Sequence, residues 1–558
     1  MNLNLYIFIT YYLMIPMSII GYGLFFFSLN KKLKITSNYG YTGLTGLLIL
    51  CLYSYISSFF YEHDTKHNLV IILLGFSFFL YFNPKKIGQN QIYLSLFLLI
   101  YFVGMLMSKM HDDFPYYHFQ YSYYLTQMPS ALGIGNFNLG LRTQSSIFYL
   151  NSLFYLPITK YFMFHMSAFL IFLFSNMILL FKLIKDNLNK NFNYITIYYL
   201  LSFVFVNIFF YRISEHGTDR SAQILILILI GEILSFLNFK VELEKKLSKL
   251  FLLIALIISL KAFYVLYIIF FAIILYHLIK NYKFKIVIFY LFSNYYLYLF
   301  LILFFLVLSI NFINTGCLMY PLNISCFDNF IWSISKIEVQ ELNNWYEQWA
   351  KGGAAPNFRI DNPEIYIQKL NWVSNWIDVY FFTKVSDFLL GIAFLSILTL
   401  FYFAPYKKKY KYKDKKITLT LSVISLLLVE WFYNHPTLRY GGYCLVASLV
   451  FIIISLQVEK SKHNFIKLKK KITYIIIFSL VIFVTRNTNR IFKEYKNYGY
   501  NPIKQVFYNI DETYFDLNKR MEILKINLAS CKKSGEKCKN DGPYGVTKIM
   551  NMYVFFVK

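Results

Sequence analysis

The chain has 558 residues, 58% of them hydrophobic and only 15% charged, with a mean hydropathy of +0.48. Repeated apolar runs of about 17–25 residues on that background exclude an ordinary water-soluble domain and read as membrane-crossing helices. The formal charge of +27 does not argue for nucleic acid, because its lysines sit in short loops between the apolar runs, where they act as topology signals and touch anionic lipid headgroups.

In chain order the pattern predicts about fourteen helices: 5–29, 42–60, 69–83, 91–108, 161–183, 194–212, 221–238, 249–260, 263–279, 286–312, 386–405, 417–433, 443–458 and 472–485. The runs are continuous rather than alternating, so the expected fold is an all-α polytopic membrane protein. The first run lacks a charged leader and a small-residue cleavage site, and reads as a retained helix. The short runs 249–260 and 263–279 meet at Lys261 and read as a hairpin. Merging them would put the strongest lysine clusters outside.

With the hairpin in place, lysine runs such as Lys31 to Lys34, Lys240 to Lys249, Lys407 to Lys416 and Lys460 to Lys471 share the cytoplasmic side. The opposite face then carries 61–68, 109–160, 213–220, 313–385, 434–442 and 486–558. The expected organisation is an N-terminal group of helices (1–90), a core (91–485) with external loops 109–160 and 313–385, and a small external C-terminal region (486–558). Within the first loop, 145–158 is too short and too aromatic to span, and reads as an amphipathic helix lying in the interface.

Of six cysteines, Cys51 and Cys444 fall in apolar runs. Cys317 with Cys326, and Cys531 with Cys538, form two close external pairs suited to local disulfides. Neither pair has a histidine beside it, so neither points to a metal. Eight arginines avoid the lysine loops: Arg142, Arg212, Arg220, Arg359, Arg439, Arg486, Arg490 and Arg520. A planar guanidinium grips phosphate or carboxylate better than an ammonium does.

Three polar patches lie at the mouths of apolar runs on the expected external face. The first is His111-Asp112-Asp113, followed by an aromatic stretch that contains His118. Paired carboxylates offer a general base and a partner that orients a group, binds metal or tunes its neighbour. His111 and His118 suit proton transfer or metal ligation. The second patch, Glu215-His216-Gly217-Thr218-Asp219-Arg220, opens a helix whose free N–H groups favour an anion. The third, His435-Pro436-Thr437-Leu438-Arg439-Tyr440, is a tight turn that holds Arg439 at the membrane surface. Glu430, inside a helix, needs a cation such as Lys261 or a position near the surface. No phosphate-binding glycine loop, zinc pattern or Ser/His/Asp nucleophile motif is present.

At these residues the chain resembles the GT-C class of membrane glycosyltransferases. The resemblance spans roughly 91–485. It rests on an acidic start to a long external loop (Asp112, Asp113), an interfacial helix in that loop (145–158), and a later Arg439-Tyr440 near a proline. It departs from the class in its three preceding helices and its small C-terminal region. The resemblance implies transfer of a sugar from a polyprenyl-phosphate donor to a hydroxyl of a glycan, lipid or protein acceptor outside the cytoplasm. Asp112 or Asp113 would then be the base, and Arg439, with Arg220, would hold the departing phosphate. His111, His118, Arg142, His216, Asp219, His435 and Tyr440 would complete the substrate-binding set. Some members of the class use a divalent metal ion; the sequence leaves that open. Lysine-only cytoplasmic loops fit a bacterial inner membrane. Two other readings remain: an O-antigen-type polymerase or ligase relying on external arginines such as Arg359, and a non-enzymatic transporter of lipid-linked glycans, expected to show repeats and polar residues near the midplane.

Overall fold

A computed structural model describes residues 3–84, 88–188, 192–238, 242–354, 362–403, 415–459, 465–534, 544–549 and 552–557. Arg359, Cys538 and the Cys531 side chain lie outside the described residues, as do parts of the lysine-rich loops.

The predicted apolar runs are helical, with three revisions of detail. The run 286–312 divides into Phe284–Phe292 and Tyr295–Thr315, because Ser293 and Asn294 interrupt it and Asn294 caps the second helix. Beyond Lys261 the chain forms a tight helical turn, Ala262–Ile268, before Ile269–Asn281. The last run extends to the 34-residue helix Phe465–Tyr498. Among the described residues ten helical stretches, rather than fourteen, are long and apolar enough to cross a membrane. The helices Gln89–Met105 and Tyr194–Phe209 are apolar but shorter. The helix Leu243–Leu260 carries Glu244, Lys245, Lys246 and Lys249 in its first half.

The helix Gly217–Asn238 is the axis of the bundle. Its most apolar window is 94% buried, against 22% for Thr65–Phe82 and 28% for Ile417–Asn434. A helix that is apolar all round belongs inside, and its neighbours here are Met166–Leu188, Tyr194–Phe209, Leu243–Leu260 and Gly442–Glu459. The outer helices turn Leu80, Leu99, Leu390, Phe401 and Phe478 outward. Apolar exposure on this scale marks a lipid-facing surface, so the protein is a multi-pass membrane protein.

The N-terminal helices belong to this bundle. Leu3–Leu29 approaches Thr65–Phe82 so closely that a Cβ on Gly21 would lie 1.9 Å from the Gly75 carbonyl oxygen. Tyr39–Ser57 packs against Met166–Leu188 and Leu243–Leu260. The segment expected to lie in the interface behaves differently. Ser146–Leu153 is a helix with all its residues buried, and Tyr149 stacks on Tyr55 at 4.1 Å. Its aromatic character serves packing inside the protein.

Two segments cover the first loop. The second loop carries the amphipathic helix Lys336–Lys351, tied to the first by an Arg142–Glu338 ion pair of 2.7 Å, and contains a Cys317–Cys326 disulfide. The C-terminal region ends in an antiparallel hairpin, Tyr544–Ile549 with Met552–Val557. Its second strand pairs with Leu132 of the first loop, whose N–H donates to the Tyr553 carbonyl at 2.9 Å, and the Phe555 N–H donates back to the Leu132 carbonyl at 2.8 Å.

Candidate active site

The first patch leaves the helix Gln89–Met105 and is pinned at once. Arg490 and Glu494 of the long C-terminal helix pair at 2.7 Å. Arg490 also donates to the Leu106 carbonyl at 2.6 Å, and Glu494 accepts from the Ser108 N–H at 3.0 Å. Asp511 accepts from the Met110 N–H at 3.2 Å. Phe114–His118 then forms one wide helical turn, closed by the Phe119 N–H on the Phe114 carbonyl. Such turns recur at functional sites because they displace side chains from ordinary helical register.

The structure separates the two adjacent acids. Asp112 points outward, 79% exposed, and pairs with Lys109 at 2.6 Å. Asp113 turns inward, where it accepts from the Tyr117 hydroxyl at 2.9 Å and from the guanidinium of Arg439. Arg439 also donates to Asp219 at 3.2 Å, and Asp219 accepts from Lys261 at 2.9 Å. Asp113, Arg439, Asp219 and Lys261 therefore form a chain of alternating charge, drawn from four distant parts of the sequence.

Each member is held by its backbone. Most carbonyls of the turn 435–441 accept a hydrogen bond. Trp376 donates to Pro436 at 2.8 Å, Trp431 to Thr437 at 2.7 Å, and Gln223 to Arg439 at 2.9 Å. Arg439 is flanked by the rings of Trp349 and Tyr440, each with its centroid 5.2 Å from the guanidinium carbon. Trp349 arrives on the second loop and roofs the site. Gly217 opens the axial helix with φ +47°, and a Cβ there would meet His118 at 2.9 Å and His111 at 3.1 Å. Glycine lets that helix start press against both imidazoles.

Burial tends to raise the Asp113 carboxyl, but Arg439, His111, His118 and Lys261 outweigh it and hold the group well below the ordinary carboxylate range. Burial lowers both His111 and His118. The rings are thus neutral at pH 7, and the cluster has two acids balanced by two cations. His111 accepts the Asp113 N–H on Nδ1 at 3.0 Å, which leaves its proton on Nε2. The buried Nε2 of His118 has no hydrogen-bond partner. Asp113, Arg439 and His111 keep 22%, 26% and 14% side-chain exposure, so the cluster opens at these three residues, while Asp219 is 3% exposed. One donor of each of His111, Asp113 and His118 lies within 4.8 Å of the others, a set that fits the divalent metal ion the resemblance admits.

The remaining predicted residues lie around this centre. Arg220 pairs with Glu215 at 2.8 Å, and Glu215 takes Arg212 at 2.6 Å as well. Burial opposes that charge, but the two arginines bring Glu215 down to about 2. Arg220 is committed there, on neither of the acids that Arg439 joins. His216 is fully buried, donates to the Phe210 carbonyl at 2.7 Å, and is lowered to about 3 by burial and by Arg220. His435 packs edge-on against Phe263 and Tyr440 and falls to about 4, through burial and then Lys261 and Lys351. Arg142 joins the two loops and donates to Gly135 at 2.9 Å, away from the cluster. Glu430 accepts from Asn434 at 3.0 Å, and Lys261 serves Asp219 instead. Sequence reasoning assigned no role here to Tyr117, Gln223, Tyr264 or Trp349. Lys261 had a signal, since it is the one Lys, Arg, Asp or Glu between 250 and 279.

No curated protein and no solved structure matches this chain. A family model described as "Domain of unknown function (DUF8201)" matches residues 5–446, which runs from the first helix through the Arg439 turn and takes in every member of the charged chain. On that match, over more than half of its length, the chain belongs to the DUF8201 family.

Proposed function

We propose that the protein is a membrane glycosyltransferase of the GT-C kind. It moves a sugar from a polyprenyl-phosphate donor to an acceptor hydroxyl on the extracytoplasmic face, in cell-envelope glycan or glycolipid synthesis. The observation that carries the reading is the direct pairing of Asp113 with Arg439, 326 residues apart in sequence, at the opening of a loop-roofed cluster.

The pairing suggests how the reaction is held in check. A carboxylate paired with a guanidinium is a weak base. The donor phosphate competes for Arg439, which lies between the rings of Trp349 and Tyr440 and keeps 26% of its side chain exposed. Once Arg439 turns to the phosphate, Asp113 loses its counter-charge and its basicity rises. It then takes the acceptor proton as the hydroxyl oxygen attacks the anomeric carbon and the polyprenyl phosphate departs on Arg439. Asp219 and Lys261 keep the guanidinium oriented throughout. The test is transfer from a short-chain polyprenyl-phosphate sugar by purified protein. Activity lost in Asp113→Asn and kept in Asp112→Asn supports the assignment; the reverse pattern removes it.

One observation favours a transporter instead. The axial helix also carries Glu232 near its other end, buried against the Tyr199 hydroxyl at 2.8 Å and 3.8 Å from Lys249. Buried charge at both ends of one helix suits a translocation path. Loss of glycan flipping in Glu232→Gln, with Asp113→Asn unaffected, would favour that reading.

A further inference from the structure

Phosphate capture and base chemistry use Arg439 and Asp113, and leave the imidazoles of His111 and His118 without a task. We propose that His111, Asp113 and His118 bind one divalent transition-metal ion, in competition with Arg439 for the Asp113 carboxylate.

The geometry is close to a ligand set. The three donor atoms lie within 4.8 Å of one another. His111 Nδ1 is 3.9 Å from Asp113 Oδ2. Two metal–ligand bonds of about 2.0–2.2 Å span that gap. His118 is 5% exposed and its Nε2 has no partner, an expensive arrangement for a buried nitrogen unless something else occupies it. Gly217 presses on both rings and fixes their attitude, as the supports of a metal site do.

The donor types choose the ion. Two imidazoles and one carboxylate suit zinc, iron or cobalt, whereas magnesium and calcium prefer oxygen. Three protein ligands leave positions open for oxygen donors from a substrate. Two contacts give way when the ion enters: the Asp113 N–H leaves His111, and Arg439 leaves Asp113.

Charge sets the condition for binding. Asp113 and Asp219 already balance Arg439 and Lys261. With Arg439 on Asp113 an incoming ion meets the guanidinium's charge at its own ligand, so it binds best when Arg439 is withdrawn, as it is when a phosphate takes the guanidinium. The ion then lies beside the phosphate, and the Asp113 oxygen it does not use stays free.

The test is titration of Co2+ into the full-length protein in detergent, read by visible absorption and by metal content after gel filtration. Wild type is expected to bind one ion per chain, and Arg439→Gln to bind it about tenfold more tightly. His118→Asn and His111→Gln are expected to lose the band, and the exposed Asp112→Asn to keep it. Melting curves of the metal-free variants identify any that fail to fold. Absence of saturable binding in both wild type and Arg439→Gln, or wild-type affinity in a folded His118→Asn, overturns the proposal. The readout needs no sugar transfer, so a protein that binds cobalt but transfers nothing loses the glycosyltransferase reading and keeps this one.

Discussion

Asp113→Asn and Asp112→Asn make a matched pair, because the substitution is the same and the surroundings are opposite. Asp112 is 79% exposed and pairs with Lys109. An exposed ion pair is worth about 0–1 kcal/mol, so its loss should leave folding and transfer nearly unchanged. Asp113 is the end of the charged chain at which the cluster opens, 22% exposed. Removing one partner of a fully buried pair costs about 3–5 kcal/mol. Here Arg439 keeps Asp219 and both partners retain partial exposure, so a cost of about 1–2 kcal/mol is the better figure. That leaves a folded protein to assay. Loss of a general base removes roughly 10²–10⁴ of rate. The assay is single-turnover transfer from a labelled polyprenyl-phosphate sugar, with melting temperature measured on the same samples. A folded Asp113→Asn protein that keeps more than about a tenth of the rate refutes the base assignment. Equal losses in the two variants refute the claim that the structure distinguishes them.

Arg439→Lys should fold but lose about 10²-fold or more in transfer, because an ammonium cannot bridge two carboxylates and then present a planar fork to phosphate; rate and KM measured together check this. Gly217→Ala forces a side chain into positive φ and against both imidazoles, and should cost about 1–3 kcal/mol in thermal unfolding together with most of the activity; an active, stable variant removes the argument for close packing. Asp511 is raised to about 6 by burial, an effect that the Met110 N–H and Lys109 only partly offset and Asp112 reinforces. Its folded value lies above the unfolded one, so the stability that goes with the buried neutral carboxyl is complete below about 4 and is lost as pH rises through about 6, when the charge must be buried. Protection factors at 106–110, corrected for the intrinsic pH dependence of amide exchange, should therefore be higher at pH 5 than at pH 8, and Asp511→Asn should remove that difference.

The helices were legible because apolar runs of spanning length have few other uses, and their order placed three polar patches at one end of the bundle. What pattern reading missed is instructive. The segment 145–158 looked interfacial because its tyrosines and phenylalanines fit a headgroup belt as well as a core; the packing of Tyr149 on Tyr55 decides between them. Asp112 and Asp113 are indistinguishable in sequence, and the direction of one turn separates them. Lys261 was read as a break between helices and as a cation for Glu430; a lone cation in so long an apolar stretch does need an acid, and the acid it meets is Asp219. Trp349 carried no signal, since its role depends on how the second loop folds back over the first.

The charged chain also dictates an order of events during biogenesis. Its members leave the ribosome as acid, acid, cation, cation: Asp113, Asp219, Lys261 and Arg439. Through most of synthesis the nascent bundle holds carboxylates whose counter-ions have not been made, and such groups take up protons or stay wet until a partner arrives. Insertion of Lys261 settles half of that debt and insertion of Arg439 the rest. A bundle assembled in the wrong register would strand an unpaired ion in an apolar setting, so completion of the charged chain requires that the helices were threaded correctly.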